Sequence, residues 1–389
     1  MTIVGMISGT SYDAIDAAVA RFALEDDTIL LQPLGLRSTP LDETVRARIA
    51  SCLPPHQTTL DAVCRLDTEL GQRFGAAAAA ANRELADGGA DLIVSHGQTV
   101  YHWVEEGRAL GTLQLGAAAW IAEAAGTPVL SDLRTRDIAR GGQGAPLAST
   151  LDALLLLPDR ARRGALNLGG IANITVRDAA HGVVAYDLGP ASALLDSAVV
   201  EATGGAQRMD TDGALARRGV VDRALLDRFL AEPYYRLPPP KSTGKELFHA
   251  GYLRQVLERA QPRTEDLLAT LTELSARLVA DACATHHLQE LVVAGGGVRN
   301  PVLMERIREL AAGTRVRPID DYGLPAQAKE AYLVALLGYL AVHGLDGTIP
   351  SATGARRGSI LGSLIPGAVP LSLPAAVTVP PRRLRVVPS

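Results

Sequence analysis

The first chemistry-bearing residues come early: Gly9, Thr10 and Ser11, followed by Asp13 and Asp16, in the segment VGMISGTSYDAID. A glycine-containing turn exposes backbone N–H groups, and with hydroxyls beside them it forms an anion-sized nest suited to phosphate. A carboxylate this close would repel phosphate unless a divalent cation lay between them, which makes Asp13 or Asp16 a candidate Mg²⁺ ligand. An ordinary polar hairpin would use the same residues. The sequence has no G-x-x-x-x-G-K-[ST] segment, because Gly244-Lys245 is followed by Glu246, so a nucleotide would be held differently than in a P-loop.

Asp187, in YDLGPASALLD, ends an apolar segment directly before a Gly-Pro turn. A carboxylate fixed at a strand end can be aimed at a substrate and serve as general base; a plain turn role would also put an Asp there. Gly295, Gly296 and Gly297, in AGGGVRN, lie between the strand ELVV and a helix that begins near Pro301. They let the backbone approach a flat ligand, and the helix start offers N–H groups, although a packing turn also uses glycine. SHGQTVYH supplies His96, Gln98, Thr99 and His102 after an apolar strand, a polar set suited to sugar hydroxyls. SDLRTRDIARGGQGAPL adds Asp132, Arg134, Arg136 and Asp137. An arginine there can fork onto a carboxylate or carbonyl, or join a surface ion-pair network. Cys283, His286 and His287 share a helix but lack a fourth partner for zinc, and no G-x-S-x-G elbow suggests a serine hydrolase.

The elements that must position these groups repeat. TIVGMIS, AIDAAVARFA and TILLQPLGLRS read as strands joined by short turns, an antiparallel meander. Helical periodicity follows in LDETVRARIASCL and from Leu60 to Leu85, and strands return as DLIVSHG, GTLQLG and PVLSD. From Arg163 a second meander begins: GALNLGGIANITVRD turns at Gly169-Gly170, and GVVAYDLGP follows. Helices near 193–201, 221–230 and 264–287, the strand ELVVAGGG, the helix AKEAYLVALLGYLAVHG and a polar tail complete the pattern. This is one α/β module used twice.

A chain of 389 residues exceeds one core, so two domains are expected, with boundaries at 1–140 plus 345–389 and at 141–344. Hydrophobic residues make up 47%, charged residues 21% and aromatics 4%, with a net charge of -4, which argues against nucleic acid or a membrane as partner. Three separated cysteines cannot all pair, and with no basic leader or long apolar span the expected location is the cytoplasm.

Taken together, GMISGTSYDAID, SHGQTV, TLQLG, RDIARGGQGAPL, NLGGIANIT, DLGP, PPKSTGKELF, TLTELSA and GGGVRNPVLM, spread from Gly5 to about Gly362, resemble the anhydro-N-acetylmuramic acid kinase family. The resemblance implies a two-domain actin-like ATPase (ribonuclease H-like) fold with the active site in the interdomain cleft. It implies ATP- and Mg²⁺-dependent conversion of 1,6-anhydro-N-acetylmuramic acid to N-acetylmuramic acid 6-phosphate in cell-wall recycling. Asp187 would be the base that activates water. Gly9, Thr10, Ser11, Asp13, Asn167, Gly169, Gly170, Gly295, Gly296, Gly297 and Asn300 would bind ATP, with Asp13 serving the metal. His96, Gln98, Thr99, Arg134, Asp187 and Glu330 would hold the sugar. Family precedent and an apolar second domain imply a homodimer. Where the family reads Asp-Thr-Gly-Pro-Gly-Asn, this chain has Asp187-Leu188-Gly189-Pro190-Ala191-Ser192. The contacts around the base are therefore expected to differ, and the alternative substrate is a related anhydrosugar such as levoglucosan. A non-catalytic ATP-driven switch of the same fold is the remaining alternative.

Overall fold

The computed structural model describes residues 1–158, 162–178, 182–239, 241–244, 247–258 and 260–388. Pro240, Lys245 and Glu246 of the PPKSTGKELF segment lie outside the described residues. The chain divides into two compact units, Met1–Pro158 with Ala328–Ser389, and Asp159–Gln327.

In the first unit, Thr2–Ser8 (β1), Ala14–Glu25 (β2) and Thr28–Pro40 (β3) form an antiparallel meander. Leu92–Glu105 (β4) lies parallel to β1, and Arg108–Leu115 (β5) folds back on β4 as a long hairpin. Val129–Ser131 (β6) runs parallel to β4 on its other side. The second unit repeats the plan. Arg163–Leu168 (β7), Ile171–Asp178 (β8) and Gly182–Pro190 (β9) form the meander, Glu290–Ala294 (β10) pairs parallel with β7, and Arg315–Pro318 (β11) pairs parallel with β10. Ser363–Ile365 (β12) and Arg383–Val386 (β13) return to the first sheet, antiparallel to β6 and parallel to β3.

The strand orders β6-β4-β1-β2-β3 and β11-β10-β7-β8-β9 are the same topology. In each, the first meander strand is central and its two outer neighbours on one side are parallel. This duplicated ribonuclease H-like α/β unit is the actin-like architecture expected from the sequence.

Packing explains why β1 is apolar on both faces. Val4 and Met6 join a core with Leu66, Leu70, Phe74, Ala77 and Ala81 of the helix Leu60–Ala86. That helix is capped by Thr59, whose side chain accepts from the Ala62 N–H, and it ends at Asp87 in the left-handed conformation. Gly5 faces the other way, against Ala331 and Ala335 of the helix Lys329–Val342. A Cβ at Gly5 would collide with the Ala331 carbonyl and lie 2.8 Å from the Ala335 Cβ.

That close approach differs from the sequence boundaries, which put Lys329–Val342 and Ala148–Leu155 in the second domain. Both helices belong to the first unit. A helix buried on nearly every side carries no face pattern to say which sheet it serves. The tail is not simply polar coil either, because Leu384 is buried and β13 extends the meander edge. Strand β11 and the helix Ala250–Leu257 are too short or too weakly patterned to have been read from the sequence.

The notch at Gly5 gives a direct test. Gly5→Val is expected to lower the unfolding free energy by about 2 kcal/mol or more through overpacking. The measurement is the urea midpoint at unchanged m-value.

Candidate functional site

Within the first unit the candidate groups collect where the carboxyl end of β1 meets the middle of β4. The Gly9–Tyr12 turn is closed by the Tyr12 N–H donating to the Gly9 carbonyl at 3.1 Å, with Tyr12 at φ 41. A bulky residue in the left-handed region is strained, which is common where a turn is shaped for a ligand. A Cβ at Gly9 would meet nothing within 4 Å. Thr10, Ser11 and Asp13 are exposed, and the Ser11 hydroxyl donates to Asp13 at 2.7 Å. Asp16 is partly buried on β2; burial raises its carboxyl pKa, with Ser38 opposing and the Asp13 charge adding to the rise. Mg²⁺ commonly takes one or two carboxylates and completes its shell with water and phosphate oxygens, and the open Asp13 with its neighbouring hydroxyls fits that donor set.

The polar set on β4 lies within the strand, because β5 pairs with β4 well beyond the apolar stretch. Gln98 is buried; its carbonyl accepts from Ser8 at 2.7 Å and its amide donates to the Thr99 carbonyl at 3.1 Å. The Thr99 hydroxyl accepts from Gln114 at 3.2 Å. The His96 ring is buried, and burial pushes its pKa down to about 3, with Arg134 contributing. A neutral ring suits its contacts: Nε2 accepts from Arg134 Nε at 2.9 Å, and Nδ1 faces the Gly97 carbonyl at 3.1 Å. Arg134 also donates to the Gly144 carbonyl at 2.6 Å. Burial pushes Arg134 down to about 10 against the opposing Glu330 charge, so it stays cationic at neutral pH.

The Gly144 loop is itself fixed. Asp137 is fully buried and accepts from the Gly144 N–H and the Thr353 hydroxyl, both at 2.9 Å. Glu330 follows Lys329, whose ammonium pairs with Asp152 at 2.6 Å in a buried contact. The Glu330 carboxylate reaches solvent although protein surrounds it; desolvation raises its pKa while Lys329 and Arg134 oppose the rise. A cavity of about 360 Å³ opens beside His96, lined also by Asp67, Ser95, Gln114, Ser131 and Asp132.

Within the second unit, Asp187 lies on β9 opposite Asn173, where the register shifts between Ala172 and Asn173 and leaves Leu188 as the extra residue. Bulges of this kind re-aim side chains next to functional sites. The Asp187 carboxylate accepts from the Thr243 N–H at 3.0 Å, its N–H donates to the Lys241 carbonyl at 3.1 Å, and its carbonyl accepts from the Tyr234 hydroxyl at 2.8 Å. Leu188 and Ala191 lie in the buried core of this unit, so neither of these departures from the family pattern exposes a side chain to solvent.

The glycine-rich segments serve different ends. The Gly169 and Gly170 carbonyls accept from the N–H groups of Ser192, Ala191 and Ala193, closing the start of the helix Ser192–Ala202. Gly295, at φ 91, would carry a Cβ 2.7 Å from both the Asn167 amide oxygen and the Leu168 carbonyl, and one at Gly297 would lie 2.7 Å from the Leu168 Cβ. One at Gly296 would meet only the end of Arg299, at 3.8 Å. Two of the three glycines therefore allow packing on β7, and one faces open space. Asn300 caps the helix Pro301–Leu310, its side-chain oxygen accepting from the N–H groups of Val302 and Leu303. Those two N–H groups are thus already bonded, contrary to the sequence expectation that the helix start leaves them available. Lys241, Thr243, Tyr234, Lys329 and Asp152 were not singled out in the sequence; PPPKSTGKELF held the available signal for the first two.

Two α/β units of the same strand order are the architecture of the actin-like, ribonuclease H-like fold, which ATPases and sugar kinases share. The chain belongs to the anhydro-N-acetylmuramic acid kinase family, a family of phosphotransferases, whose pattern it matches over residues 1–367. It is 54% identical to the anhydro-N-acetylmuramic acid kinase of Streptomyces avermitilis over 99% of both chains. It is 53% identical to that of Streptomyces coelicolor over 100% of this chain and 99% of the other. Among solved structures, xylulose kinase from Rhodospirillum rubrum aligns with a TM-score of 0.44 and 13% identity, over 87% of this chain and 90% of that one.

The His96 geometry sets a pH expectation. The folded pKa lies below the ordinary 6.5, so the unfolded chain takes the proton first; stability present above about pH 6.5 is lost as pH falls towards 3. Nitrogen NMR is expected to show a neutral His96 ring at about pH 5. A charged ring there would remove it as acceptor for Arg134.

Proposed function

We propose that the protein uses ATP to open 1,6-anhydro-N-acetylmuramic acid hydrolytically and to phosphorylate O6, releasing N-acetylmuramic acid 6-phosphate and ADP. The observation that carries this reading is Asp187, held by three hydrogen bonds beside the bulge in β9, where the resemblance puts the family's base. In this reading Asp187 takes a proton from water as the water oxygen bonds to C1. The C1–O6 bond breaks, O6 bonds to the γ-phosphorus and ADP leaves. A strained bridge assists opening, and positioning with charge neutralisation provides most of the catalysis.

Gly9, Thr10 and Ser11 would cradle phosphates, and the exposed Asp13, rather than the partly buried Asp16, would hold Mg²⁺. Mg²⁺ supplies neutralisation of phosphate charge when bound. Asn167, Gly169, Gly170, Gly295, Gly296, Gly297 and Asn300 would frame the rest of ATP, with Gly296 the glycine whose open side is supported by the packing. Arg134 and Glu330 would grip the sugar, with His96 orienting Arg134 and with Gln98 and Thr99 shaping the strand beside it. We place the protein in the cytoplasm, in keeping with free Cys52, Cys64 and Cys283; no described helix is long and apolar enough to cross a membrane. Exposed Tyr101, Trp103, Leu110 and Leu113 on the β4–β5 hairpin support a homodimer.

Purified protein with Mg²⁺ and ATP is expected to release ADP only when 1,6-anhydro-N-acetylmuramic acid is added, and heavy-oxygen water is expected to label C1 of the product. Turnover on levoglucosan alone would replace the substrate, and an unlabelled sugar would overturn the hydrolytic step. Asp187→Asn is expected to abolish turnover with the fold intact; substantial residual activity would remove Asp187 as base. Gly9→Ala is expected to change stability by less than about 0.5 kcal/mol while raising the KM for ATP several-fold. An unchanged KM would remove that turn from the phosphate site.

A further inference from the structure

Arg134 is held by a loop that closes on itself. Its Nε–H donates to the His96 ring at 2.9 Å, and its Nη1 donates at 2.6 Å to the carbonyl of Gly144, further along the same loop. Gly144 in turn donates its N–H to the Asp137 carboxylate at 2.9 Å. Asp137 holds the turn through its backbone as well: its carbonyl accepts from the Gly142 N–H at 3.0 Å, and its N–H donates to the Arg134 carbonyl at 3.2 Å. The other carboxylate oxygen accepts from the Thr353 hydroxyl at 2.9 Å, and the Thr353 carbonyl accepts from the Gln143 N–H at 2.8 Å. The Gln143 side chain reaches the β4–β5 hairpin, donating to the Gly107 carbonyl at 3.1 Å and accepting from the Ala109 N–H at 3.0 Å.

Asp137 is fully buried, and among the described residues no lysine or arginine is paired with it. A carboxylate in that setting costs desolvation, which the hydrogen bonds it accepts must offset. An apolar side chain would fill the space at less cost and could not hold Gly144. The glycines fit the close approach: Gly144 has φ 65, and a Cβ at Gly142 would collide with the Asp137 carboxylate. Of the five N–H donors of an arginine, the bonds to His96 and Gly144 use two and fix the plane of the guanidinium, and the others are left for a ligand. Without the Gly144 carbonyl the group would turn about its single bond to His96.

We propose that Asp137 is a positioning residue for sugar recognition: through the Gly144 N–H it keeps the Gly144 carbonyl on Arg134, and so fixes the direction in which the guanidinium meets the sugar. The inference rests on the sugar contact given to Arg134 above. It concerns hydrogen bonding and not charge, so asparagine can take the place of Asp137. An Asn oxygen accepts from Gly144, and its amide donates to the Thr353 hydroxyl, which accepts as readily as it donates.

The test uses the full chain with heavy nitrogen in its arginine side chains, the Arg134 Nε–H signal being assigned by its loss in Arg134→Lys. In Asp137→Ala the exchange of that proton with water is expected to become about tenfold or more faster, while Asp137→Asn is expected to keep it protected. In assays, Asp137→Ala is expected to raise the KM for the anhydrosugar by about tenfold and to leave the KM for ATP unchanged, with Asp137→Asn close to the wild type. A lower melting temperature with both KM values and the Nε–H protection unmoved would overturn the positioning role and leave Asp137 as a structural group. An equal rise in both KM values would also overturn it, as would an Asp137→Asn as defective as Asp137→Ala. Thermal melts identify an Asp137→Ala that fails to fold, and Gly142→Ala, which displaces the same carboxylate, then replaces it in both readouts. A wild type without sugar-dependent turnover would overturn the proposed reaction, while the Nε–H exchange would still decide whether Asp137 positions Arg134.

Discussion

The parallel pairing of β4 on β1, and of β10 on β7, is the constraint on which the candidate site depends. Parallel neighbours run the same way, so the residues that follow the shorter strand are set beside those further along its neighbour. In the first unit this gathers the Gly9 turn with His96 and Gln98, and the Ser8 hydroxyl bonds across to Gln98. In the second it sets Asn167 beside Ala294 and the glycine segment that follows. Antiparallel pairing throughout would have separated these groups by the length of a strand.

What holds the charged groups in place is then local and specific to each. Arg134 would be free to wander on a loop, but His96, the Gly144 carbonyl and the buried Asp137 fix both the side chain and its support. Glu330 inherits its position from the helix Lys329–Val342, whose first residue is tied to Asp152 by a buried ion pair. Such a pair is a weak source of net stability, since desolvation of both ions offsets most of their attraction. Its use here is geometric: a lysine with no room to move sets where the next residue begins. Asp187 is fixed by its bonds to Tyr234, Lys241 and Thr243, so each of these charged groups is held by neighbours on another part of the chain.

Much of this was legible in the chain and some was not, for physical reasons. The meanders and the glycine segment after β10 are local patterns, read from alternation and turn residues within a few positions, whereas Asp187, expected at a strand end, lies inside β9 at a bulge because the Gly-Pro pair continues the pairing with β8. The Tyr234–Asp187 and Thr243–Asp187 bonds span 47 and 56 residues, and no spacing rule reports a contact across such a distance. The helix Lys329–Val342 belongs to the first unit rather than the second, and its uniform apolar character holds no sign of that. The information that places it lies in Gly5 and in Gly338, where a Cβ would strike Val94. The capping of Val302 and Leu303 by Asn300 was similarly hidden: a helix start announces N–H groups, and only the fold shows which are already satisfied.

The departures at Leu188 and Ala191 are best understood in the same terms. Leu188 is 6% exposed and Ala191 1%, and both join the core that includes Leu194, Leu195, Phe229 and Leu268. A hydroxyl at 188 would need a partner in that apolar setting, whereas leucine needs only volume. Substitution there therefore answers first to the packing behind β9, and it reaches Asp187 through the position of the strand. Of these three departures Ser192, at the partly exposed start of its helix, is the one with access to solvent. The retained Asp187 is held by its own hydrogen bonds to Tyr234, Lys241 and Thr243, none of which involves the side chain of Leu188, Ala191 or Ser192.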